Sequence, residues 1–154
     1  MDDRYEIEAL ILRYPDLIDA GDFAGVGQLF RHGAITFPDG TVMAAGAEAV
    51  EALYATTTRR YDDDGTPHTS HLVSNLLVHL DPSGDAATAD SRFLVVQSLP
   101  DLPLQPIASG RYHDTFVRTD EGWHWATRAM NPSMFGDVSQ HLLIDVSSGD
   151  QAGA

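Results

Sequence analysis

The chain has 154 residues, of which 43% are hydrophobic and 21% charged, the ordinary balance of one globular domain. Its formal net charge of −14 opposes binding to nucleic-acid phosphates or anionic lipid, so we expect neither partner. The absence of cysteine excludes disulfides, thiolate catalysis and cysteine-ligated zinc. The N-terminus lacks a signal-peptide pattern and no apolar run approaches the roughly 20 residues that span a bilayer, which together predict a cytoplasmic protein.

The first half of the chain has the apolar spacing of helices. Pro15 is expected to interrupt and kink the first of them, because proline removes a backbone donor. Gly21 is predicted to end that helix, and Asp22 to cap the next one. The predicted elements are helices over about 5–18, 23–30 and 46–61, with a hairpin of 34–37 and 41–44 between the last two.

The second half alternates as β-strands do, with strands predicted over about 68–80, 86–98, 108–118 and 122–130. The proline-rich segment 99–106 is predicted to be an irregular connection rather than a central strand. Helices followed by a long meander predict an α+β domain, in which helices close a curved antiparallel or mixed sheet into a cone-shaped barrel. The domain is predicted to span 1–146, and 147–154 to form a flexible C-terminal tail.

Three residues carry the clearest chemistry. Tyr14 and Asp19 lie near the end of the first helix, and His71 lies in the first long strand. A phenol, a carboxylate and an imidazole can together move a proton and stabilise the charge left behind. Each has a structural alternative: Tyr14 as a core aromatic, Asp19 as a solvated carboxylate, and His71 as a hydrogen-bonded core histidine. Strand alternation adds Asn75 to the face of His71, which indicates a polar group directed into the interior.

Tyr112 and Arg128 each have both a structural and a substrate-binding interpretation. Tyr112 and Asp114 share one face of a later strand, where Tyr112 is a candidate to line a pocket. Arg128, on the last strand, either binds an anionic substrate group or pairs with Asp114, and the structural pair is favoured.

No metal site is predicted. His68 and His71, three residues apart on a strand, lie on opposite faces. His113 and His124, a candidate pair across a hairpin, lack a nearby carboxylate.

Several segments together resemble one family. They are Tyr14 and Asp19 five residues apart before Gly21-Asp22-Phe23; Thr69-x-His71-x-x-x-Asn75; and Ser109-Gly110-Arg111-Tyr112-His113-Asp114 continuing into Gly122-Trp123 and Arg128. In order and spacing, the chain resembles the SnoaL-like branch of the nuclear-transport-factor-2-like superfamily over roughly residues 4–130. The resemblance implies the cone-shaped fold, which enzymes and non-enzymes share.

The resemblance also implies site residues. Asp19 and His71 are similar to the Asp–His dyad of scytalone dehydratase, hexachlorocyclohexane dehydrochlorinase and bile-acid 7α-dehydratase. His71 would be the base, Asp19 its orienting partner and Tyr14 the donor to the developing anion. The substrate-contacting set is completed by Asn75, Tyr112, Arg128, Tyr54 and Phe93. Scytalone dehydratase has a second active-site histidine on the next strand, whereas the equivalent segment 93–97 here has none.

The sequence therefore predicts a cofactor-independent, metal-free acid–base enzyme acting on a hydrophobic oxygenated molecule that is steroid-, polyketide- or terpenoid-like. Dehydration is the first choice. A polyketide-type cyclase or isomerase using the same pocket stays open. So does a non-catalytic ligand-binding or scaffold subunit like the small subunits of ring-hydroxylating dioxygenases. The resemblance implies a homodimer or homotrimer.

Overall fold

The computed structural model describes residues 2–146, so the predicted tail over 147–154 lies outside the described residues. The helices are α1 (Asp3–Asp19), α2 (Phe23–Leu29) and α3 (Ala47–Thr57). The strands are β1 (Ala34–Thr36), β2 (Val42–Ala45), β3 (Thr69–Leu80), β4 (Ala86–Leu99), β5 (Leu102–Thr119) and β6 (Gly122–Phe135). Among these described helices, none has the length and apolar character needed to cross a membrane.

The six strands form one curved mixed sheet in the order β2-β1-β6-β5-β4-β3. All neighbours are antiparallel except β1 and β6, which run parallel. The core lies between the helices and the sheet, where Ile7 and Ile11 of α1, Phe116 of β5 and Trp125 of β6 are fully or almost fully buried. The α+β prediction is confirmed, and the cone that results has an interior face that is available for a site.

The junction between α1 and α2 forms as its sequence predicts. Gly21 follows the end of α1 with a φ of +71°, a conformation that costs glycine least. The Asp22 side chain accepts a hydrogen bond of 2.8 Å from the backbone N–H of Gly25 and so caps α2. Because Asp22 provides this cap, the carboxylate of Asp19 is left for other partners.

Two helix predictions are wrong in detail. The α1 helix is not interrupted at Pro15 but continues to Asp19, because proline removes one hydrogen bond while Ile11 and Ile18 on either side are buried and hold the helix to the core. Helix α3 ends at Thr57 rather than near 61, since Thr58 is extended and forms a β-bridge with Leu142.

The segment 99–106 is not an irregular connection. Strands β4 and β5 continue through it, and the turn is confined to the residues between Leu99 and Leu102. Pro103 and Pro106 are tolerated because β6 begins to pair with β5 only at Ala108, so this part of β5 is an edge that needs no donor on its open side. Strand β6 likewise extends to Phe135, beyond the predicted end.

Candidate active site

The end of α1 and the start of β3 bring Asp19 and His71 into direct contact. The Asp19 Oδ1 and His71 Nδ1 atoms are 2.6 Å apart. Thr69 Oγ1 donates to Oδ1 and the His71 backbone N–H donates to Oδ2, both at 2.8 Å. These two further hydrogen bonds hold the Asp19 carboxylate in place, and the carboxylate in turn fixes the orientation of the His71 imidazole. Because Nδ1 faces the carboxylate, that nitrogen carries the proton, and Nε2 is left as a proton acceptor.

The environment of Asp19 favours its ionised form. Burial alone would raise the pKa of its carboxyl, but the hydrogen bonds of His71, the charge of its protonated form and the hydroxyl of Thr69 outweigh burial and lower that pKa. Asp19 is therefore a carboxylate across the neutral pH range. A partly buried anion next to an imidazole stabilises the imidazolium that forms when Nε2 takes a proton.

The dyad opens on an apolar cavity of about 230 Å³ between the helices and the sheet. Five residues of the predicted site line it, namely Tyr14, Tyr54, His71, Phe93 and Tyr112. The rest of the lining is mostly aliphatic, and Ile18, Leu53 and Val95 contribute to it. The structure thus brings these five residues to one cavity, with a few polar groups placed in an apolar wall.

Two of the lining tyrosines are joined through their hydroxyl groups, Tyr14 on α1 and Tyr54 on α3. Burial raises the pKa of both phenols, and raises that of Tyr54 the more strongly, whereas the charge of Arg128 limits the rise at Tyr14. Both hydroxyls are protonated at neutral pH. One proton makes the bond between them, and the Tyr14 hydroxyl also interacts with Tyr112 and Arg128.

Arg128 forms a buried ion pair with Asp114 and does not line the cavity. Its Nε and Nη2 atoms donate to the two carboxylate oxygens at 2.8 Å each, and both side chains are fully buried. Burial would lower the pKa of Arg128, but the charge and hydrogen bonds of Asp114 raise that pKa by more than burial lowers it. The guanidinium therefore stays charged. It lies 3.9 Å from the ring centroid of Tyr112 and 4.3 Å from that of Tyr14. The geometry favours the structural pair over contact with a substrate anion.

Asn75 does not share the face of His71, and the prediction that it does is wrong. The register of β3 against β4 shifts between Ser74 and Leu77, where one extra residue reverses the alternation. Asn75 takes a φ of +52° and is exposed in a groove on the other face of the sheet, beside Arg92 and Arg111.

Sequence reasoning missed His141, which lines the same cavity. Its ring centroid is 6.0 Å from that of His71, and the residue is only 7% exposed. Burial, reinforced by the charge of His71, lowers the pKa of His141 to about 4, so it is neutral at pH 7. Its Nδ1 atom has no hydrogen-bond partner within residues 2–146. The segment after β6 has no apolar periodicity, so no sequence signal indicated this position.

We expect His141 to make folding depend on pH. Its pKa falls from about 6.5 unfolded to about 4 folded, so the unfolded state binds more protons and stability declines as pH falls between these values. At pH 4 the loss should reach roughly 2–3 kcal/mol. Urea unfolding at pH 7 and pH 4 of wild type and His141→Gln measures it: the variant should lose less stability, and an equal loss in both would contradict the prediction.

The model of the SnoaL-like domain family matches residues 1–129. The chain belongs to this family. The resemblance predicted from its motifs is confirmed, and the family match covers the helices, the dyad and most of the sheet, up to Ala129 in β6.

Solved structures show the same fold. An NTF2-like protein with a cystatin-like fold from Novosphingobium aromaticivorans is 24% identical, with a TM-score of 0.68 over 99% of this chain and 89% of that one. A protein of unknown function from Mycobacterium tuberculosis is 28% identical, with a TM-score of 0.65 over 84% and 75%. A candidate scytalone dehydratase from Novosphingobium aromaticivorans is 24% identical, with a TM-score of 0.63 over 85% and 84%. No curated protein matches the chain.

Proposed function

We propose that this SnoaL-like protein is a cofactor-independent acid–base enzyme that dehydrates a compact, hydrophobic, oxygenated molecule. The observation that carries the proposal is the 2.6 Å contact between Asp19 and His71 at the wall of an apolar cavity. That contact leaves the Nε2 atom of His71 as a base. The apolar lining of the cavity strengthens each polar interaction made with a substrate that displaces water from it.

The proposed reaction begins with proton abstraction. His71 Nε2 takes a proton from the carbon next to a substrate carbonyl, and the negative charge of Asp19 stabilises the resulting imidazolium. The electrons of the broken C–H bond move toward the carbonyl oxygen as an enolate. The enolate then reforms the carbonyl and expels the β-hydroxyl group, which leaves as water after taking the proton from His71. A carbon–carbon double bond forms, and the base is regenerated.

The tyrosine pair is the proposed donor to the enolate oxygen. Tyr14 is the better proton donor of the two, because the charge of Arg128 and the hydrogen bond with Tyr54 limit the rise that burial causes in its pKa, whereas Tyr14 raises the pKa of Tyr54 further. A hydrogen bond from Tyr54 to the Tyr14 oxygen leaves the Tyr14 proton free for the substrate. A neutral phenol aimed at a developing oxyanion in an apolar site is the strategy of ketosteroid isomerase, which uses a tyrosine for this purpose.

His141 is the proposed contact for the departing hydroxyl group. It is neutral, buried and next to His71, so it can accept or donate a hydrogen bond without adding charge to the cavity. The second histidine of scytalone dehydratase is absent from β4 here. His141, in the segment that follows β6, would supply an imidazole instead.

The cavity limits the size of the substrate. Its volume of about 230 Å³ is below the roughly 300–1,000 Å³ of pockets that hold drug-sized ligands. We therefore propose a polyketide- or terpenoid-like molecule of one or two rings in preference to a steroid. Dehydration ranks ahead of cyclisation because the contact between Asp19 and His71 is similar to the Asp–His dyad of scytalone dehydratase.

A scaffold subunit is the competing function. Such a protein has no need of an open cavity, and its interior would be expected to be filled by side chains. The cavity beside the dyad, and the three hydrogen bonds that orient Asp19 and His71, therefore favour the enzyme. An isomerase or cyclase would begin with the same proton transfer, and analysis of the product separates these reactions.

A thermal-shift screen tests the proposed pocket. One- and two-ring polyketide aromatics, small terpenoids and steroids would be added to wild type, His71→Ala and Asp19→Asn. A ligand present at 100 times its Kd adds about 2.7 kcal/mol of stability, enough to raise the Tm by several degrees. We expect stabilisation by the compact compounds and a smaller shift in both variants. Equal shifts in all three proteins would separate binding from the dyad and contradict the proposal.

A further inference from the structure

A second group of ionisable side chains lies apart from the cavity, where the turn between β5 and β6 meets the connection between α2 and β1. The Nε2 atom of His32 is 3.8 Å from the Glu121 Oε2 atom, and the Nε2 atom of His124 is 3.9 Å from the same oxygen. The ligand atoms of all three residues lie within 4.8 Å of one another. Two imidazoles and a carboxylate therefore converge on one point.

The buried member of this group lacks a partner. His124 is 7% exposed, and within residues 2–146 its Nε2 atom has no hydrogen bond. The prediction that His113 lies across the hairpin from His124 is wrong, because His113 pairs in register with Ala129 while His124 pairs with Val117. A buried polar atom without a partner calls for a ligand at that position.

We propose that His32, Glu121 and His124 bind a divalent transition-metal ion of the zinc class. Tetrahedral bonds of about 2.0–2.1 Å require ligand atoms about 3.3–3.4 Å apart. The two separations from Glu121 therefore need to shorten by about 0.5 Å, and the two histidines, whose ligand atoms lie within 4.8 Å of each other, also need to draw together. Rotation of the exposed His32 and Glu121 side chains supplies that shift. Two imidazole nitrogens and one carboxylate suit Zn²⁺, Co²⁺ or Ni²⁺ better than Mg²⁺ or Ca²⁺, and water would complete the shell.

Arg31 now bridges the two exposed ligands. Its Nη2 atom donates to Glu121 Oε2 at 2.7 Å, and its Nε atom donates to His32 Nε2 at 3.1 Å. The guanidinium thus occupies the lone pairs that a metal ion would use. Because the Arg31 side chain is 42% exposed, it can turn into water when the ion arrives, at small cost. Arg31 therefore competes with the ion, and its removal should tighten binding.

Titration calorimetry of the untagged full chain with Zn²⁺, together with visible absorption of the Co²⁺ complex, tests the site. We expect one ion per chain, and a loss of affinity of at least about tenfold in His32→Gln and in His124→Gln. Arg31→Gln should bind more tightly than wild type. His113→Gln removes an exposed histidine paired with Asp90 and is the matched control, so its affinity should stay unchanged.

The proposal requires metal affinity to fall in His32→Gln and to rise in Arg31→Gln, so several results would overturn it. Failure of wild type to bind one ion would end it. So would unchanged affinity in His32→Gln, or loss of binding only in His68→Gln, which alters the separate cluster of Asp63, Asp64 and His68. His32 is exposed, so its variant stays informative if His124→Gln fails to fold.

Discussion

Replacing His71 with alanine is expected to lower kcat by about 10²–10⁴-fold, the usual contribution of a general base. The variant removes the imidazole that lines the cavity and contacts Asp19, while the tyrosines of the cavity stay in place. Ligand binding should therefore weaken less than turnover. The measurement is product formation from the compact ligand selected by thermal shift, under saturating and subsaturating conditions so that kcat and KM are separated.

Asp19→Asn should reduce kcat by a similar factor for a different reason. An amide in this position can donate to His71 Nδ1, which transfers the imidazole proton to Nε2 and abolishes the base. The matched control is His113→Ala, since His113 also bonds an aspartate, Asp90, at 2.7 Å, but on the exposed face of the sheet. Its activity should equal that of wild type. Full turnover by His71→Ala would show that the dyad is not the catalytic base.

Features determined by neighbouring residues could be predicted from the sequence. Gly21 and Asp22, between α1 and α2, affect only the helix ends next to them, and each takes its predicted capping role. The turn between β5 and β6 also lies between the predicted strands of 108–118 and 122–130. Asp19 and His71, in contrast, are 52 residues apart, and only the family resemblance suggested that they meet.

Features that depend on a register shift could not be predicted. Alternation along β3 is a correct guide from Thr69 to Val73, but the bulge after Ser74 inserts one residue, and Asn75 moves to the outer face. The sequence of β3 contains neither glycine nor proline to mark the bulge. A single irregular residue therefore separated a correct prediction at His71 from a wrong one four residues later.

His141 shows a second limit. It lies in an irregular segment whose backbone is held by long-range contacts, among them the hydrogen bond from the Arg59 backbone N–H to the His141 carbonyl at 2.8 Å. Periodic patterns indicate helices and strands, but they do not show where an irregular segment, such as the one after β6 that lines the cavity, will lie. The site therefore contains one more titratable group than its sequence motifs indicated.

Asp114→Asn is expected to lower the free energy of unfolding by about 3–5 kcal/mol, the cost of leaving a buried charge without its counter-ion. Asp114 and Arg128 are both fully buried, and two hydrogen bonds of 2.8 Å join them. The amide keeps the shape of the side chain but not its charge. Urea unfolding at neutral pH measures the difference, and Asp90→Asn, which breaks an exposed pair with His113, should change stability by at most about 1 kcal/mol.

The cause of that loss can be separated from lost packing by a second pair of variants. Asp114→Leu alone leaves the Arg128 guanidinium charged between the rings of Tyr14 and Tyr112, whereas Asp114→Leu with Arg128→Met removes both charges and keeps an unbranched chain between the rings. If the uncompensated charge is the cause, the double variant will be more stable than the single one. A double variant that is less stable would assign the loss to packing instead. Such a result would mean that Arg128 stabilises the cavity wall mainly through its contacts with the two tyrosines.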